Sequence, residues 1–281
     1  MTLDIASLTS WIGRQESVAD AMPAFPAAAL AATLDRDDAP GKGESLPPLW
    51  HWIYFRELHR HADLAENGHA RLGGFLPPVP LPRRMFAGAR LSFPQPLRIG
   101  EDARRVSTIV DVNLKKGASG DLVFVLVRNE IIGPGGTAIV EEHDLVYREA
   151  ARPESPRPVP RRLPEKAAWT RELRFDVAQL FRYSALLFNA YRIHYDRPYA
   201  MGQGYAGLVV HGQLVATLLA DLVRRNTDAP LKAFRYRSVS PLVDGSTCVL
   251  CGLPNGNLVN LWAEDGKGGL VVQAEAELVE R

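Results

Sequence analysis

The chain has little of what would place it in a specialised class. Two cysteines in 281 residues are too few for a disulfide framework. Neither charge is in excess: 33 Lys and Arg against 32 Asp and Glu leave +1, so no global field gathers nucleic acid or an anionic membrane. Any anionic ligand has to be captured locally. No apolar run approaches the roughly 20 residues that span a bilayer, and the opening MTLDIASL lacks the basic start and apolar stretch of a secretory signal. These absences lead us to expect a cytoplasmic protein with no nucleic-acid and no membrane partner. Cys248 and Cys251 form C-x-x-C, but an offset of three along a strand sends them to opposite faces, so they read as core thiols. His51, His59, His61 and His69 have no carboxylate at a spacing such as H-E-x-x-H and read as surface or packing residues, so no metal is expected.

What is present is an ordinary soluble mixture, 46% hydrophobic and 23% charged, in a chain long enough for two domains. The segment 150–166, AARPESPRPVPRRLPEK, is too rich in proline for a helix or central strand and reads as a linker between halves 1–149 and 167–281. The halves share a pattern. Arg90 is followed by Pro96-Leu97 and Gly100, and Arg235 by Pro241-Leu242 and Gly245, at identical spacing. After each come three β-rich runs, 107–114, 121–132 and 137–147, then 247–253, 257–263 and 270–279. Turn signals such as Lys116-Gly117, Asn255-Gly256 and Asp265-Gly266 punctuate them as antiparallel hairpins. Leu208 to Arg225 is apolar on nearly every face until its basic end, which predicts a buried helix. A helix wrapped by a curved antiparallel sheet, occurring twice, is an α+β double hotdog. For the first half's helix both 21–34 and 50–64 are candidates.

The stretch most suited to chemistry is Phe188-Asn189-Ala190-Tyr191-Arg192-Ile193-His194-Tyr195-Asp196, followed by Gly207-Leu208-Val209-Val210-His211-Gly212. Asn189 and His194 lie in a bent path leading into the buried helix, where an imidazole can be aimed at a pocket to move protons near neutral pH. Read blandly, Asn189 forms a turn and His194 is structural. Gly202-Gln203-Gly204-Tyr205-Ala206-Gly207 fits G-x-G-x-x-G literally, but without the βαβ frame that gives those glycines a pyrophosphate to hold.

These residues resemble the hydratase motif of the MaoC-like hotdog enzymes, and are most similar to the hydroxyacyl-thioester dehydratase type 2 branch, with its itaconyl-CoA and mesaconyl-CoA hydratase-like members. The resemblance extends to Leu49-Trp50-His51-Trp52, to 73–85 (GGFLPPVPLPRRM) and to 144–149 (DLVYRE). It implies hydration or dehydration of an acyl-CoA thioester with no cofactor. It places His194 on the catalytic histidine, Asn189 on the usual aspartate, and Gly212 on the glycine whose amide holds the thioester oxygen. Tyr191 and Arg192 replace the usual Asn-Pro.

The expected chemistry needs a base for water attacking C3, an acid for C2 and donors to an enolate oxygen. An amide cannot titrate, so His194 is expected to serve both proton steps, with Asn189 orienting water or intermediate. Asp196 either orients the imidazole or caps the next turn. Arg83 and Arg84, closing a proline-rich loop, either meet the CoA phosphates or a second carboxylate on the acyl group. Arg192, Tyr191, His211 and Trp52 are the other candidate substrate contacts. The expected substrate is a short dicarboxylyl-CoA such as itaconyl-CoA or mesaconyl-CoA. The competitors are a fatty-chain 3-hydroxyacyl-thioester dehydratase, a noncatalytic acyl-CoA-binding hotdog and a thioesterase. A homodimer is a further expectation.

Overall fold

A computed structural model describes residues 4–117, 120–149 and 166–280. The elements run α1 (Ile5–Thr9), β1 (Gln15–Asp20), α2 (Ala24–Thr33), β2 (Arg83–Ser92), β3 (Ala103–Gly117), β4 (Gly120–Gly133) and β5 (Gly136–Arg148). They continue with β6 (Trp169–Arg174), α3 (Val177–Leu187), α4 (Arg197–Gly202), α5 (Gly212–Arg224), β7 (Leu231–Ser238), β8 (Thr247–Asn255), β9 (Leu258–Asp265) and β10 (Leu270–Leu278). All ten strands form one sheet, in the order β1-β3-β4-β5-β2-β7-β10-β9-β8-β6. From either edge inward, each half contributes its first, third, fourth, fifth and second strand. The fold is a hotdog used twice and fused through β2 and β7.

The repeat in the sequence marks that seam. Arg90 and Arg235 face each other in the antiparallel β2·β7 pair. Downstream, Leu97 and Leu242 are both buried, and Gly100 and Gly245 both turn the chain at positive φ, +80° and +75°. Such a φ is cheap for glycine and costly for a residue with a Cβ. The expected thiol arrangement also follows from the pleat: Cys248 enters the main core while Cys251 packs on the other face with Trp262 and Leu270. Segment 150–165, nearly all of the expected linker, lies outside the described residues.

The halves differ in their helices. In the second, every residue from Leu214 to Val223 of α5 is buried, and the sheet β6–β10 packs around it. The helix begins at Gly212 rather than Leu208, because Val209 makes an extended bridge to Val243. In the first half, α2 follows β1 as α3 follows β6, and among the described residues no long helix corresponds to α5. The expected central helix in both halves is therefore corrected to one. Residues 50–64 form only two short 3-10 turns, bounded at the first by Leu49 and Phe55 in the left-handed region. Trp50, Trp52, Ile53, Tyr54 and Phe55 are all buried, so no single helical stripe satisfies them. The first half's sheet thus keeps an interior that no helix among the described residues fills.

Candidate active site

A cavity of about 800 Å³ occupies that interior and continues to the start of α5. The first-half sheet supplies its floor, including Arg84, Phe86, Ser107, Asn129 and His143. The second half supplies Asn189, Tyr191, His194, His211 and Gly212. Segment 57–76 closes one side, and at Gly68 its backbone meets the 188–194 loop so closely that a Cβ would lie 1.7 Å from the Ala190 carbonyl oxygen. Arg192 N–H also donates to the Asn67 carbonyl, at 3.0 Å.

The loop holding His194 is fixed at both ends. Phe188 closes α3 in the left-handed conformation, and the Asn189 side-chain oxygen accepts from the Tyr191 N–H at 2.9 Å. That leaves the Asn189 amide nitrogen as the group with hydrogens to offer the cavity, so a turn former also lines the site. The 3-10 turn Arg192–His194 then buries His194 to 8% exposure. Its Nδ1 lies 2.7 Å from the Val209 carbonyl oxygen, which accepts only, so Nδ1 carries the proton and Nε2 presents its lone pair. Burial lowers the His194 pKa to about 4 against the partial opposition of that carbonyl. His211 stacks on it, centroids 3.7 Å apart, with its own Nε2 at 2.9 Å from the Ser184 hydroxyl. Burial, then the neighbouring His194, holds His211 well below the ordinary histidine range.

Gly212 is the first residue of α5, so its N–H has no carbonyl one turn back to bond and points from the positive end of the helix. A Cβ here would stand 3.0 Å from the Ser238 hydroxyl oxygen. A neutral imidazole, a helix-start amide and a side-chain amide around one cavity can deprotonate water and hold an oxyanion.

Other expected residues are placed elsewhere. Arg83 and Arg84 adjoin on β2, and strand alternation lets only one enter the cavity. Arg84 does, with Nη2 donating to His69 Nδ1 at 2.7 Å, whereas Arg83 donates to the Gln203 carbonyl at 2.6 Å, away from the lining. Arg192 pairs with Asp196 at 2.8 Å and lies over the Tyr199 ring. Asp196 caps α4 through the Tyr199 N–H at 3.0 Å and does not orient His194, whose Nδ1 is taken by a backbone carbonyl. Trp52 is buried and donates its indole N–H to Glu141 at 2.7 Å rather than lining a groove.

The sequence reading missed a polar cluster and one histidine. Glu141, 2% exposed, also meets His51 at 3.3 Å, His143 and Asn129. Burial pushes its carboxyl up, but the two histidines overcome that and hold it well below the usual carboxylate range. His69, read as packing or surface, packs at a tilt of 34° against Tyr191 with centroids 4.1 Å apart and lines the cavity. Among the described residues, no group of three or more His, Cys, Asp or Glu side chains is placed to hold a metal ion. Nor is any helix long and apolar enough to cross a membrane.

Known proteins share this architecture and sequence. A profile described as hydroxyacyl-thioester dehydratase type 2 matches residues 49–244, more than half of the chain. The chain belongs to that family. It is 48% identical to a mesaconyl-C(4)-CoA hydratase of Chloroflexus aurantiacus over 276 residues, covering 97% of this chain and 98% of that one. It is 24% identical to the mitochondrial hydroxyacyl-thioester dehydratase type 2 of Schizosaccharomyces pombe, over 76% of this chain and 80% of that one. In three dimensions it superposes on a MaoC-like dehydratase of Phytophthora capsici with a TM-score of 0.70 at 12% identity, covering 99% and 98% of the two chains. This type 2 dehydratase family member is an enzyme of the hydro-lyase class acting on acyl thioesters.

The His194 environment sets the pH response. A histidine whose pKa falls from 6.5 to about 4 on folding stays a competent base where an exposed one would be half charged. We expect kcat/KM to stay level as pH drops from 8 through 6.5, with its acid limb near 4. Stability has the same sign: the buried neutral rings of His194 and His211 favour the fold fully above pH 6.5, and that contribution is lost as pH falls toward 4. Initial rates and thermal melts across this range check both; an acid limb centred at 6.5 would contradict the assignment.

Proposed function

We propose that the chain adds water across the C2–C3 double bond of a short dicarboxylyl-CoA, mesaconyl-C4-CoA in the first instance; itaconyl-CoA, the related candidate, has its double bond outside C2–C3 and becomes a substrate for this step only after that bond shifts into conjugation with the thioester. The observation that carries this reading is the His194 ring, locked by the Val209 carbonyl with Nε2 toward a cavity that Gly212 also faces. Nε2 takes a proton from water as the water oxygen bonds to C3. The C2–C3 electron pair moves to the thioester to give an enolate, whose oxygen receives the Gly212 N–H and the positive end of α5. The imidazolium then returns a proton to C2, so the sum is one water added. A buried ring resists charging until a negative charge forms beside it, and the enolate is such a charge.

Asn189 holds the attacking water through its amide N–H. His211 supports His194 from the ring face, and Tyr191 borders the acyl group. The second half thus brings the acid/base group and the first half encloses the acyl chain. Identity to the Chloroflexus hydratase over nearly the whole chain supports the choice of acyl group, as does the polar floor of Arg84, Ser107, Asn129 and His143, which suits a carboxylate better than a long alkyl tail.

The test is to follow the conjugated-thioester absorbance of mesaconyl-C4-CoA, and the conversion of itaconyl-CoA by chromatography, with purified protein while assaying free thiol. Loss of absorbance with the thioester intact is the expected result. Thiol release would indicate a thioesterase, and conversion of long straight-chain enoyl thioesters alone would move the assignment to fatty-chain dehydration.

A further inference from the structure

Mesaconyl-C4-CoA has its second carboxylate on C3, the carbon that water attacks. A receptor for that carboxylate has to stand beside the His194 end of the cavity, whereas the pantetheine arm carries the CoA phosphates much farther off. Imidazole, water, C3, carboxylate and guanidinium at ordinary contact lengths span about 9 Å. Arg84 is a guanidinium of the cavity lining that a chain of side-chain contacts joins to His194. It touches His69, His69 packs at a tilt against Tyr191, and Tyr191 meets His194 edge to face at 5.7 Å between centroids; all four line the cavity.

The charge arrangement is also suited. Among the described residues no carboxylate lies within ion-pair distance of Arg84; of the other two guanidinium groups in the lining, Arg105 is paired with Glu57 at 3.1 Å and Arg71 belongs to the 57–76 segment rather than to the sheet floor. Its hydrogen-bond partner His69 accepts through Nδ1 and so brings no negative charge. Burial, and then Arg84 and His194, pushes the His69 pKa far below the ordinary range, so that ring stays neutral. A half-buried guanidinium with a neutral neighbour, lining the cavity, is able to receive a carboxylate.

Building on the proposed hydratase activity, we infer that Arg84, positioned by His69, receives a carboxylate borne on the reacting carbon. The enzyme thereby acts on C3-carboxylated 2-enoyl thioesters as a class, unmethylated fumaryl-CoA included, and rejects those with only an alkyl group there. Arg84 is the specificity-determining residue and His69 a positioning residue.

The experiment compares wild type, Arg84→Met, His69→Leu and His69→Asn on mesaconyl-C4-CoA, fumaryl-CoA and crotonyl-CoA, with thermal melts to verify folding. Wild type is expected to use fumaryl-CoA within about tenfold of mesaconyl-C4-CoA, and crotonyl-CoA at least about 100-fold less well. Arg84→Met lowers kcat/KM for both dicarboxylyl substrates about 100-fold and leaves crotonyl-CoA within about threefold. His69→Leu raises KM for the dicarboxylyl substrates alone, and His69→Asn, whose side-chain oxygen replaces the Nδ1 acceptor, restores it. The unreactive analogues succinyl-CoA and butyryl-CoA give a second reading: Arg84→Met weakens inhibition by the first about 100-fold and spares the second. Equal losses on all substrates and both inhibitors would overturn the inference while leaving the hydratase reading standing. A wild type that hydrates none of the three overturns that reading and this one with it.

Discussion

His194→Ala lowers kcat by about 1000-fold, within the range that positioned acid/base groups contribute. The size of the effect rests on the absence of a deputy. Asn189 cannot titrate, and Asp196 is committed to the α4 cap and to Arg192. His211 stacks on His194, but its Nε2 is tied to Ser184 and its Nδ1 is buried without a partner. None of them can take over a proton from water at C3. Truncation also leaves the Val209 carbonyl without its donor, so His194→Gln, which keeps an N–H able to reach that oxygen, serves as the control for local structure. The measurements are single-turnover hydration and binding of a saturated CoA thioester. A loss of kcat with binding retained is the expected pattern. Turnover within tenfold of wild type in the alanine variant would show that another group carries the proton.

The fold could be read from the sequence where spacing reports geometry directly. Arg90 and Arg235 stand at equal distances from a Pro-Leu and a glycine, and they are neighbours across the strand pair that fuses the two halves. The three hairpin runs of each half appear as β3–β5 and β8–β10 because glycine and asparagine turns delimit them. Asn189, His194, His211 and Gly212 were legible as a group, since one bent segment and one helix start carry them all. What a linear pattern does not record is the approach of distant backbone. His69 reaches His194's loop only because Gly68 has no side chain to hold the two segments apart. Arg83 and Arg84 look equivalent in sequence, and strand alternation separates their roles. Trp52 could not be assigned without knowing that Glu141 lies buried beneath it. That no long first-half helix stands among the described residues escaped notice because residues 50–55, apolar but for His51, are buried throughout, as a core helix also would be.

Asp221→Ala is expected to destabilise the protein by about 3 kcal/mol, in the range for breaking a buried ion pair. Asp221 is 1% exposed in the last turn of α5, where the helix dipole disfavours an acid and neighbouring cations have to compensate. They come from three parts of the chain: Arg225 at 2.7 Å from the helix end, Arg171 at 3.2 Å from β6, and Arg36 from the segment after α2 in the first half. Arg224 stands at 3.8 Å. Without the carboxylate these guanidinium groups repel one another, and burial together with that repulsion already holds Arg171 and Arg224 below the ordinary arginine range. Arg171 and Arg225 keep some access to water, which places the cost at the lower end of the range. At roughly 2 °C per kcal/mol for a chain of this length, Tm should fall by about 6 °C, and added salt should recover little because the pair is buried. Gly212 and Asp221 are separated by about 14 Å of helix, so kcat at temperatures below the transition should stay near wild type. A variant with unchanged Tm would show that the arginines rehydrate at no cost; one with unchanged Tm but reduced kcat would tie the cluster to the cavity rather than to the joining of the two halves.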